Sequence, residues 1–340
     1  MRFDVRHSLI TGASCWVAAT LAFFLHCESP WWAVISAWIV SGPDLHASAF
    51  RAGLRVLGTL AGYGVGYSVA HLAAGDPFAQ VIGMALVGAI GTYQRFRSRY
   101  SYAWIIGCIT AQILIVLAIT DPSSVYRTAH YRLYEIISGV VAVTLCQRLL
   151  VPLLGFETSP VPAGQSTESS PGFVPVARRK LLTAAFVGGL LPVAIMVLWS
   201  RFSLPSPVQI VVTALATIDH DVASAQVKAA QRLLGCLTGG ALGCLTVFLS
   251  SNSFAIWSLF LVGGIVILSR LHLGGGRWSY VGTQGGVAYI VTLVTGNHAP
   301  ESILPLVNRL AGMISGVLLL SAACYVVRLW EERTTPGLAS

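Results

Sequence analysis

The chain has 340 residues, of which 55% are hydrophobic and only 10% are charged. Together with a mean hydropathy of +0.74, this composition excludes a soluble globular protein and indicates an integral membrane protein in a lipid bilayer. The formal net charge of +8 does not indicate nucleic acid as a partner, because no soluble region remains to carry a basic face.

The seven cysteines contain no C-x-x-C pair, and most of them lie in apolar segments. We therefore interpret them as small packing residues and not as a disulfide framework. The run Asp219-His220-Asp221 is a weak metal motif, since three consecutive residues do not share one helix face. We expect neither a metal site nor a cofactor.

Apolar segments follow one another along the chain, six in each half. The first half has them at residues 8–26, 31–39, 54–72, 78–92, 102–119 and 129–151. The second half has them at 181–199, 208–218, 233–249, 254–269, 280–295 and 306–327. The first segment also resembles a signal peptide, but a matching segment begins at residue 181, so we expect it to stay in the protein.

An internal duplication relates the two halves at an offset of 177 residues, with residues 44–66 repeated at 221–243. The matched pairs are Asp44 with Asp221, Arg51 with Lys228, Arg55 with Arg232, Gly58 with Gly235, Gly62 with Gly239 and Gly66 with Gly243. From Arg51 onward, the spacings of three and four place these residues on one helix face. The glycines predict close helix packing, although membrane helices are also generally rich in glycine.

The duplication predicts an all-α integral membrane protein of two parallel six-span transmembrane repeats, about 12 helices in total. We place the first repeat at 1–153, a cytoplasmic linker at 154–178, the second repeat at 179–331 and a cytoplasmic tail at 332–340. With both termini in the cytoplasm, only Arg127, Arg132, Arg201 and Arg309 of the 21 lysines and arginines lie outside. This distribution follows the positive-inside rule.

Four motifs occur in order along the first half: Pro30-Trp31-Trp32, R-x-L-G-x-L-x-G from Arg55, Tyr100-Ser101-Tyr102 after a basic loop, and R-L-x-x-I-I-S-G from Arg132. With their partial repeats in the second half, they resemble the fusaric acid resistance family. The resemblance implies a bacterial inner-membrane exporter of aromatic or other organic carboxylates. The chain departs from longer members, which have a soluble cytoplasmic domain between the halves.

The functional prediction is a secondary transporter that exports small organic or aromatic carboxylate anions, driven by the proton gradient. No Walker loop, nucleophile elbow or H-E-x-x-H motif is present, so we expect no enzyme and no ATP site. The alternatives are a passive organic-anion channel and a non-transporting membrane scaffold. The sequence leaves the oligomeric state open, a homo-oligomer included.

Cations inside the spans are the first candidates for substrate contacts. Arg132 and Arg309 lie about one turn into the sixth span of each half, where a cation is costly unless it is paired or wetted. They could bind substrate or form structural ion pairs. Further candidates are Arg51, Arg55, Lys228 and Arg232 as an entry vestibule or as orientation anchors, and Tyr102 and Tyr280 as a stacking surface or an interfacial belt.

Three acids are candidates for proton coupling. Glu135 lies three residues after Arg132 on the same helix face, and it could carry protons or form a static salt bridge with Arg132. Its counterpart is Gly312, so Arg309 has no such local partner. Asp44 and Asp221 precede the duplicated helices, where helix N-capping is the stronger interpretation.

Overall fold

The computed structural model describes residues 5–154, 177–249, 253–296 and 304–334. In these ranges, twelve α-helices and one 3-10 turn form the regular secondary structure. The first six helices are α1 (Val5–Phe24), α2 (Trp31–Val40), α3 (Leu45–Leu72), α4 (Pro77–Arg97), α5 (Ser101–Thr120) and α6 (Val125–Leu153). The other six are α7 (Arg178–Phe202), α8 (Pro207–Thr217), α9 (Val222–Leu249), α10 (Phe254–His272), α11 (Ser279–Leu293) and α12 (Leu304–Thr334). Most of the predicted linker and tail lies outside the described residues.

Seven of these helices are long and apolar enough to cross a membrane: α1, α5, α6, α7, α9, α10 and α12. The all-helical membrane class is therefore confirmed. A helix overlaps each of the twelve predicted segments, but α2 and α8 have only 10 and 11 residues. At 1.5 Å per residue they reach about half of the ~30 Å hydrocarbon core. The count of six spans per half remains a prediction.

The described residues form two compact units, and each unit takes helices from both halves of the chain. The first contains α1, α2, α10 and α11, with residues 45–60 of α3, nearly all of α6, residues 231–249 of α9 and residues 304–310 of α12. The second contains α4, α5, α7 and α8, with residues 61–72, 222–230 and 311–334 of three of the long helices. The two predicted repeats therefore do not coincide with the two compact units.

The helix contacts inside the two units follow one pattern. In the first unit, α1 packs against α2 and α10, and α11 packs against α10 and α2. In the second unit, α7 packs against α8 and α4, and α5 packs against α4 and α8. Moving each helix to its counterpart in the other half converts the first set of contacts into the second.

Glycines bring helix backbones together at matched positions. A Cβ atom added to Gly62 would overlap the backbone of Gly107 in α5, and one added to Gly239 would overlap the backbone of Gly285 in α11. A neighbouring helix also lies within contact of a Cβ at Gly66, Gly235 and Gly243, whereas Gly58 is buried within α3. The absence of a side chain is therefore a steric requirement at Gly62 and Gly239.

A second matched contact sets α6 and α12 against the short helices. A Cβ at Gly139 of α6 would overlap the carbonyl oxygen of Ala33 in α2. One at Gly316 of α12 would lie 2.8 Å from the carbonyl oxygen of Ile210 in α8. Both residues of the first contact are 177 positions before those of the second. Because α6 packs closely against α2 at Gly139, the preceding turn of α6 also lies beside α2. The candidate site lies in this region.

Candidate functional site

Four arginine side chains are buried in the first unit, each with 5% or less of its surface exposed: Arg55, Arg132, Arg232 and Arg309. They form two pairs related by the offset of 177. Arg55 of α3 acts electrostatically on Arg132 of α6, and Arg232 of α9 acts likewise on Arg309 of α12. The positive-inside pattern had assigned the members of each pair to opposite sides of the membrane, whereas the structure brings them together.

Helix α2 positions the first pair. The Cζ atom of Arg132 lies 3.8 Å from the centroid of the Trp32 ring, which is cation–π geometry. One turn later on α2, the Oγ atom of Ser36 accepts a hydrogen bond of 3.0 Å from Nε of Arg55. The side chains of Trp32 and Ser36 share a face because they are four residues apart. The short helix therefore holds both guanidinium groups against one surface.

Glu135 does not form the predicted salt bridge with Arg132. Among the described residues, no carboxylate oxygen lies within 4.0 Å of the Arg132 guanidinium. The Oε1 atom of Glu135 instead accepts a hydrogen bond of 2.7 Å from the backbone N–H of Ser29, just before α2. Arg132 turns toward Trp32 and Glu135 toward the loop between α1 and α2, so the two groups attract each other electrostatically without a direct ion pair. Glu135 is nonetheless buried, with 1% of its surface exposed.

The second pair has polar, uncharged neighbours. The Tyr280 hydroxyl accepts a hydrogen bond of 3.4 Å from Nη1 of Arg232. Cys236 acts electrostatically on the guanidinium of Arg309. Among the residues that the structure describes, no carboxylate pairs with Arg309. This agrees with the substitution of Gly312 at the position that corresponds to Glu135.

Three of the buried guanidinium groups have an unused donor. The Nε–H groups of Arg132, Arg232 and Arg309 are buried and have no hydrogen-bond partner among the described residues. A buried cation with an unsatisfied donor costs free energy until an anion reaches it. The chemistry that this arrangement supports is the binding of a small anion by the arginines of each pair.

The remaining predicted cations, Arg51 and Lys228, lie in different units. Arg51 is half-buried, and its Nε donates a hydrogen bond of 3.4 Å to the carbonyl of Ala47 one turn earlier. In the second unit, Nζ of Lys228 forms an ion pair of 2.9 Å with Asp219. Tyr102 is half-buried at the start of α5. A substrate role for Arg51, Lys228 and Tyr102 remains a prediction.

The acids at the starts of α3 and α9 act as helix caps. Oδ1 of Asp44 accepts hydrogen bonds from the N–H groups of His46 (2.8 Å) and Ala47 (3.2 Å). Oδ2 of Asp221 accepts one of 3.2 Å from the N–H of Ser224. These caps explain why both helices begin about ten residues before the predicted apolar segments. Proton coupling by Asp44 and Asp221 remains a prediction.

Asp219 has an electrostatic role that sequence reasoning missed. Burial raises the pKa of its carboxyl group, but the Lys228 ammonium and a hydrogen bond from His220 outweigh burial and lower the pKa below its ordinary value of 3.8. Within the described residues, no group of three or more His, Cys, Asp or Glu side chains could hold a metal ion. The carboxylate of Asp219 neutralises Lys228.

Trp32, Ser36 and Cys236 were also missed as parts of the candidate site. Trp32 belongs to the Pro30-Trp31-Trp32 motif, which indicates the family resemblance but not a contact with a buried arginine. Ser36 has a matched hydroxyl residue at Thr213, 36 plus 177. A search for polar residues conserved between the two halves would have found this pair, but no repeat signal identifies Cys236, whose counterpart is Thr59.

Comparison with known proteins gives one family. Residues 4–165 match the family model described as the fusaric acid resistance protein family. The chain is 26% identical over 157 residues to the uncharacterized transporter YdhK of Escherichia coli K12, covering 45% of this chain and 22% of that protein. It is 26% identical over 159 residues to the p-hydroxybenzoic acid efflux pump subunit AaeB of Enterobacter cloacae, covering 44% of this chain and 24% of that protein. The matched region spans less than a quarter of these relatives, and no solved structure matches the chain.

Proposed function

We propose that the protein is a membrane transporter that exports small organic or aromatic carboxylate anions. Residues 4–165 match the model of the fusaric acid resistance protein family, and this match and the similarity to a p-hydroxybenzoic acid efflux pump subunit support export. Seven membrane-competent helices support a multi-pass protein. The location proposed is the bacterial inner membrane, with the proton gradient as the driving force.

The observation that carries the anion part of the proposal is the set of unsatisfied guanidinium donors at Arg132, Arg232 and Arg309. A carboxylate has two oxygens and matches the planar fork of a guanidinium with two parallel hydrogen bonds. Arg309 lacks a carboxylate partner among the described residues, so the substrate would supply the missing negative charge. Binding would lower the free energy of a site that is costly when empty.

Aromatic side chains beside both pairs support an aromatic substrate. Trp32 lies against Arg132, and the Tyr280 hydroxyl meets Arg232. An aromatic acid could place its carboxylate between the arginines and its ring against these side chains, since offset stacking adds about 0.5–1.5 kcal/mol to apolar burial. Aliphatic carboxylates would use the arginines alone and bind more weakly.

The matched contacts also support the proposed architecture of two parallel six-span repeats. Both glycine contacts recur at offsets of 177 or 178 residues, as do the helix neighbours inside each unit. An even number of spans per repeat gives both halves the same direction across the membrane. The positive-inside distribution would then place both termini in the cytoplasm.

The test is binding of p-hydroxybenzoate to purified protein, with its uncharged methyl ester as the ligand control. We expect the anion to bind and the ester to bind far more weakly. Arg309→Gln removes a charged hydrogen bond worth about 1.5–3 kcal/mol, which corresponds to roughly a 10- to 150-fold loss of affinity. Arg309→Lys keeps the positive charge but loses the planar fork, so its affinity should lie between those of the wild type and Arg309→Gln.

Arg201→Gln is the matched control, because Arg201 is exposed at the end of α7 and its replacement should leave affinity unchanged. Equal binding by the wild type and Arg309→Gln, at equal folded yield, would remove the anion site from this position. Uphill efflux that collapses with a protonophore would support proton-driven export over a passive channel. Absence of flux for a panel of carboxylates would favour the scaffold.

A further inference from the structure

The carboxyl end of the short helix contacts a different residue type in each of the two units. In the second unit, Nη1 of Arg95 donates hydrogen bonds to the carbonyl oxygens of Leu215 (3.1 Å) and Ile218 (3.2 Å) at the end of α8. The last carbonyls of a helix have no intrahelical donor and carry partial negative charge. A permanent cation therefore satisfies the end of α8.

In the first unit, a titratable residue occupies the matching place at the end of α2. His272 corresponds to Arg95, since 95 plus 177 is 272, and Trp38 corresponds to Leu215 by the same offset. The His272 ring lies with its centroid 4.5 Å from that of Trp38, and the Trp38 backbone is within hydrogen-bonding range of the ring. The contact between the end of α2 and residue 272 thus repeats the contact between Leu215 and Arg95.

The hydrogen bonds of Thr283 place a proton on Nδ1 of the His272 ring. The Thr283 hydroxyl donates to the carbonyl of Ser279 at 3.0 Å, so its oxygen is left to accept from Nδ1 of His272, 2.8 Å away. A neutral imidazole with its proton on Nδ1 has only a lone pair at Nε2. Nε2 is buried and makes no well-formed hydrogen bond among the described residues. The Trp38 backbone, in the last turn of α2, lies within range of this ring.

The charged surroundings of His272 also differ from those of Arg95. Among the described residues, Arg51 of α3 is the one charged group that acts on the ring, while α2 and α11 present Trp38 and Thr283. In the second unit the counterpart of Arg51, Lys228, is neutralised by Asp219, but Gly42 stands at the position that corresponds to Asp219. A proton on His272 would meet repulsion from Arg51 and attraction from the end of α2.

We propose that His272 is a proton-binding site, in which Nε2 takes up a proton from water, keeps it, and donates a hydrogen bond to the Trp38 carbonyl at the end of α2. The protonated ring then does for α2 what Arg95 does permanently for α8. Since α2 also carries Trp32 and Ser36, the contacts of the first arginine pair, uptake of this proton is linked to the anion site. The proton site does not depend on the proposed function. Only the link between this proton and transport rests on the proposed function.

The first experiment follows tryptophan fluorescence of the purified protein between about pH 4 and pH 8, the range that brackets the ordinary titration of histidine. A protonated imidazole quenches a stacked indole. We therefore expect a fluorescence titration that is lost in His272→Gln, in Trp38→Phe and in His272→Arg, which copies the second unit. His46→Gln, at an exposed histidine, should titrate like the wild type.

Two results would overturn the proton site: a titration of wild-type size in folded His272→Arg, or no titration in the wild type while Trp38→Phe still removes a stable part of the emission. The second experiment measures p-hydroxybenzoate efflux against pH. Measured at a constant pH difference across the membrane, His272→Arg should flatten the dependence of efflux on absolute pH, while the exposed-histidine control keeps it. An unchanged pH profile would refute the link to transport and leave the proton site standing, whereas no flux in any protein would count against the proposed function alone.

Discussion

At the residue scale, Glu135 is a buried acid that acts electrostatically on Arg132 of the first arginine pair. Its carboxylate accepts the Ser29 N–H at 2.7 Å, and the amide oxygen of glutamine can accept the same bond. Glu135→Gln should therefore keep the fold and p-hydroxybenzoate binding, and it should abolish proton-driven efflux if the carboxylate carries protons. The measurement is pH-driven flux in vesicles, with melting temperature as the folding control.

Glu28→Gln provides the comparison for Glu135→Gln, because Glu28 is more exposed and pairs with Arg127 at 3.0 Å. We expect its flux to match the wild type. If Glu135→Gln transports normally along a proton gradient, the carboxylate is structural, and its role is to hold the loop that begins α2.

The lowered pKa of Asp219 predicts how the stability of the protein depends on pH. The pKa of its carboxyl group is lowered, so its contribution to stability is present above the unfolded value near 3.8 and is lost as pH falls through the lower, folded value. Asp219→Asn leaves Lys228 without its counter-charge and should cost about 1–3 kcal/mol at neutral pH.

Thermal unfolding of the wild type and Asp219→Asn from neutral pH to about pH 3 measures this effect. The difference in unfolding free energy should be constant near neutral pH and should shrink once the solution is more acidic than the ordinary aspartate pKa of 3.8. A difference that persists undiminished at the lowest pH would show that the ion pair is not its source.

At the element scale, the apolar pattern predicted the presence of all twelve helices but not the roles of the short ones. The second predicted segment covers only residues 31–39, and α2 has 10 residues, fewer than a full span requires. Hydropathy could not predict that Arg55 of α3 hydrogen-bonds Ser36 of α2. The positive-inside rule uses only the distribution of charge along the chain, so it cannot predict which helices pack around a buried arginine.

Replacement of Gly62 tests the packing of α3 against α5. In an ordinary helix interior, Gly→Ala stabilises by about 1 kcal/mol. A Cβ at Gly62 would overlap the backbone of Gly107, whereas one at Gly64 would meet no atom within 4 Å. We therefore expect Gly62→Ala to destabilise by about 1–3 kcal/mol, the usual range for overpacking.

Gly64→Ala, two residues along the same helix, is the control and should be neutral or stabilising. Melting temperature and folded yield in detergent measure both variants. Changes in stability of opposite sign would identify packing as the cause, because helix propensity alone predicts that alanine stabilises the protein at both positions. Stabilisation by Gly62→Ala would show that the glycine face reflects composition and not packing.

At the scale of the whole molecule, the proposed direction of the chain across the membrane can be tested by cysteine labelling. Two parallel repeats of six spans put residue 166 in the cytoplasm, whereas the turn between α5 and α6, which contains Ser123, would face outside. Ser123 is exposed, and six of the seven native cysteines are buried, so background labelling should be low. An impermeant maleimide added to intact cells should label Ser123→Cys and should label Ser166→Cys only after the cells are opened. Labelling of Ser166→Cys from outside would contradict the parallel repeat, because an odd number of crossings would then precede that residue.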